Sequence, residues 1–312
     1  MNILVTGGTG YLGARISCDL SKKNKTFIQS RNKKNSILES KNIIQFRYDW
    51  KNHYILNEYL KKIDVIIHTA GADFNFCEKN KKEAEKCYLT NTEILYFYAK
   101  KNNVKKIINF STTQVYGSQK GQIHEDSSLD LNSNYAFLNY EREKLSEKLK
   151  KSNVTFLNLR LSNCFGFPIL KKTNCWKLVL PNICKNIILT NHARLKTKDD
   201  FYKNFSTIDD LSNLIKLLIN SKKKLPILLN FSSGKPKKIS QLVKIILNTQ
   251  KKIYGKEAFN NLDKLKFIKK PDRNIISNHL NKIDFKFSNN YTYEVLHLLK
   301  ATKKFFNQKS LK

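Results

Sequence analysis

The chain has 312 residues, 40% of them hydrophobic, and no apolar run reaches the ~18 residues that would span a bilayer, so a sizeable core is expected and a membrane span is not. The net charge of +33 raises nucleic acid as a partner, but the 58 Lys and Arg are spread along the chain among Asn and Ile. Nucleic-acid binding is therefore the weaker reading, and anionic ligands such as diphosphates are favoured.

The first residues enter a strand, 3–5, with no charged n-region or apolar signal segment, which reads as a cytosolic protein. A glycine-rich turn and a helix to about residue 20 follow. Further strands are expected at 26–28, running on into Gln29, Ser30 and Arg31, and at 43–48 and 64–68. A long helix is expected at 81–102, a strand at 107–110, a helix at 135–151 and a strand at 155–159. Strands alternating with helices predict a doubly wound parallel sheet. Beyond Arg160 the pattern loosens into short apolar pieces, and the last strong helix is 293–306. The six cysteines and six histidines show no C-x-x-C pair and no ligand spacing, so neither disulfides nor a metal centre are expected.

Gly7, Gly10 and Gly13 stand between the first strand and the first helix. The first allows a tight turn, the second lets backbone approach a diphosphate, and the third lets the helix pack on the strand. With Tyr11 and Leu12 they would present free helix-terminal amides to phosphate. This loop resembles that of the extended short-chain dehydrogenase/reductases, the NAD-dependent epimerase/dehydratase family of nucleotide-sugar enzymes.

Other segments agree in order. Asp49 and Trp50 resemble the position that meets adenine. The run H-T-A-G-A at 68–72, with Ala70 and Gly71, resembles the loop bordering the cofactor. Asn91 sits where that family has a helix asparagine. The run S-T-T-Q-V-Y-G at 111–117, with Thr112, resembles the catalytic Ser/Thr segment. The run L-R-L-S-N-C-F-G at 159–166, with Arg160 and Asn163, resembles the stretch lining nicotinamide and substrate. The run N-F-S-S-G at 230–234 resembles a small-lobe segment.

The resemblance implies a Rossmann-type fold: a dinucleotide-binding domain over 1–165, with segments at about 195–230 returning to it, and a smaller C-terminal α/β substrate lobe mainly over 166–312. Homodimerisation through a four-helix contact is implied too. The cofactor is NADP or NAD. The end of the second strand, Gln29 to Lys34, has no carboxylate to take a ribose 2′-hydroxyl, whereas Arg31 suits a 2′-phosphate, which favours NADP.

The family's catalytic set is a Ser/Thr, a Tyr and a Lys four residues after the Tyr. Tyr140 and Lys144 spell that spacing, but Tyr135 fits the flanking pattern: Ala136 follows it, Glu143 lies eight residues on and Arg160 25 residues on. On that alignment Asn139 replaces the lysine, and Lys144, about 900° round the helix, faces away. An unassisted phenol has a pKa of about 10 and is almost wholly protonated at pH 7. That suits an acid for carbonyl reduction better than a base for alcohol oxidation.

On the substrate side, Trp176 could stack on a base or sugar or belong to a core. Lys203 and Arg273 resemble cations that approach the nucleotide diphosphate, and 73–77 lies beside the cofactor mouth. The leading expectation is an NAD(P)-dependent oxidoreductase or epimerase of nucleotide-sugars, reducing a keto-sugar in surface polysaccharide synthesis. The alternatives are a catalytically weak dinucleotide-binding relative and a basic nucleic-acid binder.

Overall fold

The structure is a computed structural model describing residues 1–31, 40–149 and 152–306. Its frame is a sheet of seven strands: β1 (Asn2–Thr6), β2 (Lys25–Ser30), β3 (Ile43–Arg47), β4 (Val65–His68), β5 (Lys106–Thr112), β6 (Thr155–Leu161) and β7 (Leu228–Phe231). The spatial order is β7-β6-β5-β4-β1-β2-β3, and every neighbouring pair is parallel. The chain therefore winds outward from β1 through β3 and returns to lay β4 on the other side. The carboxyl ends of β1 and β4 flank the crevice where such folds bind ligands.

Sequence accounts for the strands. β4 reads V-I-I-H and is buried throughout, as is β5, because helices cover both faces. The period of two sorts β1: Ile3 and Val5 join one core and Leu4 the other. The first core includes Ile16 and Leu20 of α1 (Tyr11–Ser21). The second includes Leu56 and Leu60 of α2 (His53–Leu60).

A short helix, α3 (Phe74–Lys79), leads into α4, a helical run over 81–101 made of Lys81–Glu85, a π turn at Lys86–Thr90, and Asn91–Lys101. The next helix, α5 (Asn134–Lys144), starts on Ser133, whose hydroxyl accepts from the Ala136 amide. It tightens into a 3-10 turn at Leu145–Leu149, and the last two residues of the helix expected over 135–151 lie outside the described residues.

The region after Arg160 holds more order than its sequence suggested. Three helices occupy it: α6 (Val179–Thr190), α7 (Ile208–Asn220) and α8 (Ile239–Tyr254). The last helix, α9 (Tyr291–Phe306), packs with α6 and α8 around Leu180, Ile183, Ile246, Val295 and Leu298. Segments 205–231 return to the sheet. Leu211, Leu214 and Leu218 of α7 enter the first core, and β7 pairs with β6. Among the described residues no helix is long and apolar enough to cross a membrane, and no three His, Cys, Asp or Glu could hold a metal ion.

Candidate functional site

The glycine loop fills the mouth of the crevice. Gly7 has φ +65°, and a Cβ there would lie 2.9 Å from Ala70 backbone. A Cβ on Gly13 would lie 2.4 Å from the Gly7 carbonyl oxygen and 2.7 Å from Thr69 Oγ1, so helix and loop meet backbone to backbone. Among the described residues, a Cβ on Gly10 would closely approach just the Gly7 oxygen, at 3.1 Å. Gly10 N donates to that oxygen at 2.8 Å, closing the turn. Among the described residues no side chain caps α1. Its opening amides, from Tyr11, Leu12 and Gly13, are therefore left for an anion. Bare backbone, open space at Gly10 and uncapped amides fit a dinucleotide diphosphate.

Buried Gln29 braces the loop. Gly7 N donates to its Oε1 at 3.2 Å, and its Nε2 donates to the Tyr48 carbonyl at 2.5 Å. Tyr11 contributes backbone rather than phenol, since its hydroxyl donates to the Gly166 carbonyl at 2.6 Å and accepts from the Gly166 amide. Leu12 is half-buried against the first core. Arg31 is exposed just beyond β2, and the rest of that basic run, 32–34, lies outside the described residues. Asp49 and Trp50 follow β3. Trp50 takes a positive φ of 68° and packs 5.0 Å from the Tyr48 ring.

Opposite the glycines, β4 runs into the loop of Ala70 and Gly71. Thr69 Oγ1 donates to the Thr6 carbonyl at 2.7 Å, joining it to β1. Tyr88, from the π turn, donates from its hydroxyl to the Ala72 carbonyl at 2.8 Å. A Cβ on Gly71 would sit 3.0 Å from that hydroxyl. Asn91 is buried, and its Oδ1 has no hydrogen-bond partner among the described residues.

The two competing tyrosines of α5 face different ways. The Tyr135 phenol lies near enough to Thr112 and Asn139 for both side chains to favour its ionised form. Its ring lies edge-on to Tyr88 at 6.3 Å. Tyr140 instead packs with Val115, Tyr116, Ile123 and Ile275. Lys144 pairs with Glu141 at 2.6 Å on the outer surface. Burial pushes the Tyr135 phenol above its ordinary pKa, opposed chiefly by the charge of Arg142 and then by Thr112. Asn139 Nδ2 donates to the Tyr135 carbonyl at 2.8 Å, so the amide at the lysine position is tied to its own helix.

Arg160, expected at the cofactor, is committed elsewhere. Its Nε and Nη2 donate to the two oxygens of Glu143 at 2.9 and 2.7 Å, and its Nη1 donates to the Tyr116 hydroxyl at 2.8 Å. Ser111 Oγ donates to the same carboxylate. Both partners are buried, so this arginine is a brace beneath the site.

Trp176 is likewise structural. Its indole N–H donates to the Lys171 carbonyl at 2.9 Å, and its ring meets Phe306 edge-on at 4.9 Å. Asn163 is exposed and donates to the Asn204 carbonyl at 3.0 Å. Arg273 donates to the carbonyls of Gly117 and Thr113 at 2.5 and 3.2 Å. Lys203 faces it. Burial, then the Arg273 charge, holds the Lys203 amine below its ordinary pKa, and burial lowers Arg273 too. Asp73 caps α3, and Asn174 donates to its Oδ2 at 2.9 Å, joining the cofactor-side loop to the second lobe.

Sequence reading passed over Gln29 as a clasp, Tyr88 as a wall and Arg142 altogether. The signal for Arg142 was available: seven residues after Tyr135 is about two full turns, hence the same helix face.

A family model described as the NAD dependent epimerase/dehydratase family matches residues 3–227. Among solved structures, UDP-N-acetylglucosamine 4-epimerase from Methanobrevibacter ruminantium M1, in complex with UDP-N-acetylmuramic acid, aligns with TM-score 0.83 and 20% identity, over 97% of this chain and 98% of that one. UDP-glucose 4-epimerase from Thermotoga maritima, with UDP-glucose, gives TM-score 0.81 and 16% identity over 97% and 99%. UDP-glucuronic acid 4-epimerase from Bacillus cereus, with UDP-glucuronic acid and NAD, gives 0.77 and 19% over 98% and 100%. At such identities the likeness establishes the fold. No curated protein matches by sequence.

Proposed function

Since the chain belongs to the NAD-dependent epimerase/dehydratase family, we propose that it reduces the keto group of a nucleotide-linked sugar, with Tyr135 as the proton donor, in surface polysaccharide synthesis. One observation carries this reading. Buried beside Thr112, the Tyr135 phenol is raised above its ordinary pKa, so it is a neutral acid at physiological pH. Epimerisation or dehydration would require the same phenol to act as a base in its first step, which this environment disfavours.

A bound nicotinamide supplies or accepts hydride. The chain's own residues would do the rest. The turn of Gly7, Gly10 and Gly13 with the first amides of α1 would hold the diphosphate. Arg31, Asp49 and Trp50 would border the adenosine, with Arg31 favouring NADP over NAD. Ala70, Gly71, Tyr88 and Asn91 would form the wall beside the ring. Thr112 would orient the sugar oxygen. Asn163, Lys203 and Arg273 would receive the nucleotide part of the substrate, the two cations facing its diphosphate. The dinucleotide-binding part is assigned to about 1–165 with the returning segments, and the substrate lobe to most of the remainder.

The test is hydride transfer from NADPH and NADH to a panel of keto-sugar nucleotides, read at the nicotinamide absorbance. Consumption with at least one of them supports the reading. Cofactor binding without turnover on any would favour the second reading, a dinucleotide-binding protein without catalysis, for which Asn139 at the lysine position is the specific feature. We further propose a homodimer through α4 and the turn after α5, where Phe97 is 62% exposed beside Leu145; light scattering of Phe97→Glu against the parent reads it.

A further inference from the structure

The site holds a buried cation that neither the glycine loop nor the substrate cations account for. On α5, Asn139 and Arg142 follow Tyr135 by four and seven residues, within about 40° of it round the helix. Long helical side chains lean toward the N-terminus, so Arg142 runs back under Tyr135 rather than away from it.

Its guanidinium is 97% buried, at 3% exposure. Nη1 donates to the Ala70 carbonyl at 2.8 Å, and Nη2 donates to the Phe110 carbonyl and to Asn139 Oδ1, the latter at 3.2 Å. The Tyr88 ring that meets Tyr135 lies 4.6 Å from its Cζ. Nε is buried with no acceptor, and no carboxylate pairs with it among the described residues.

A buried cation without a counter-ion is costly. Clipping two carbonyls needs donors, which a neutral amide supplies; it does not need charge. A fixed charge is most useful where an anion forms. We propose that Arg142 is a positioning residue that provides, from two turns along α5, the positive charge that the family places four residues after its tyrosine and that Asn139 lacks. The inference rests on the reading of Tyr135 as the proton-transferring phenol.

Its influence is already visible. Among the groups facing Tyr135 (Cys77 and Glu78 from α3, Tyr88 from the π turn, Thr112 from β5), Arg142 is the strongest opponent of the phenol's burial. The same charge favours ionisation of Tyr88, Tyr96 and Cys87 and disfavours that of His68.

The experiment follows the Tyr135 phenol by fluorine NMR of fluorotyrosine-labelled protein, the resonance identified by its loss in Tyr135→Phe. Arg142→Gln should raise the titration midpoint by about one pH unit or more, and Arg142→Lys should leave it near the parent value. A folded Arg142→Gln with an unmoved midpoint overturns the proposal. If Arg142→Gln does not fold, Asn139→Lys/Arg142→Gln is read instead. Cooperative folding with the parent midpoint supports the proposal. A folded double variant titrating about one pH unit higher overturns it, as does a double variant that does not fold, because the site then requires the guanidinium's shape. The titration uses neither cofactor nor substrate. An unmoved midpoint therefore sinks this inference alone, whereas absence of hydride transfer in the parent sinks only the functional reading.

Discussion

Glu143 holds Arg160 with both carboxylate oxygens, at 2.9 and 2.7 Å, beneath the floor of the site. The pair joins α5 to β6, and Ser111 and Tyr116 extend it to β5 and the turn that follows. Asn230 of β7 accepts from the Tyr116 hydroxyl at 2.8 Å. Glu143→Ala would leave a buried guanidinium with no counter-charge. The expected loss is about 3–5 kcal/mol of stability, measured by guanidinium chloride unfolding. A loss below about 1 kcal/mol would mean that the pair is solvated and does not brace the sheet.

The choice between the tyrosines is open to direct test. Tyr135→Phe removes the phenol read as the proton donor and should lower turnover about 10²- to 10⁴-fold with little change in melting. Tyr140→Phe alters a ring packed on Val115 and Tyr116 and should leave turnover within about twofold, since exchange of a group remote from the chemistry leaves the barrier unchanged. Steady-state rates of both variants decide the matter. The reverse ranking would refute the assignment of Tyr135.

What sequence revealed and what it hid have physical causes. Gly7, Gly10 and Gly13 were legible because close backbone approach excludes a Cβ, and V-I-I-H at 65–68 was legible because a strand covered on both faces must be apolar throughout. The second lobe was hidden. α6 starts on Leu178 and α8 on Lys238, without the Ser, Thr, Asp or Asn that announces a helix, so their apolar stripes looked like isolated fragments. Trp176 could not be placed from sequence because Phe306, its partner, lies 130 residues away. For Arg142 the two-turn spacing from Tyr135 was legible, but its bonds to the Ala70 and Phe110 carbonyls were not, because they depend on how a long side chain folds back along its helix.

Restoring the family's lysine should not repair this site. Asn139 is 2% exposed, and its Oδ1 accepts from Arg142 at 3.2 Å. Asn139→Lys would place a second cation against the first. Two unit charges about 4 Å apart at an effective dielectric of about 20 repel by about 4 kcal/mol. The variant should melt well below the parent, and adding Arg142→Gln should return much of the loss. Equal melting of Asn139→Lys and the parent would show that the guanidinium can turn away.

Acid should stabilise the fold through one buried carboxyl between the lobes. Glu294 of α9 is fully buried, accepts from the amides of Phe167 and Asp209 at 3.1 and 2.9 Å, and meets Arg15 of α1 at 3.4 Å. Burial raises its pKa from the ordinary 4.5 to about 6, against the pull of Arg15. The folded state thus binds this proton more tightly than the unfolded one. The stabilisation is complete below about pH 4.5 and is lost as the pH rises through about 6, a change of roughly 2 kcal/mol. Carboxylates lowered by folding, such as Asp19 and Asp64, act in the opposite sense. The comparison is therefore with Glu294→Gln. The parent's stability minus the variant's should rise by roughly 2 kcal/mol between pH 7 and pH 4.5, and a difference that falls on acidification would contradict the raised value.

The glycines separate folding from binding. A methyl at Gly13 would press on the Gly7 carbonyl oxygen at 2.4 Å, a backbone atom that cannot step aside without moving the loop. Gly13→Ala should therefore lower the melting temperature of the free protein by the equivalent of about 1–3 kcal/mol, the usual cost of overpacking. Gly10 differs. Its φ of −77° and ψ of 178° are open to any residue, and among the described residues a Cβ would meet one atom, at 3.1 Å. Gly10→Val should melt close to the parent, yet its side chain would stand where the diphosphate approaches, so dinucleotide affinity should fall at least tenfold, about 1.4 kcal/mol. Melting curves with and without NADPH measure both quantities on the same sample. Undiminished binding by Gly10→Val would place the diphosphate elsewhere and remove the ground on which Tyr135 is read as lying beside a nicotinamide.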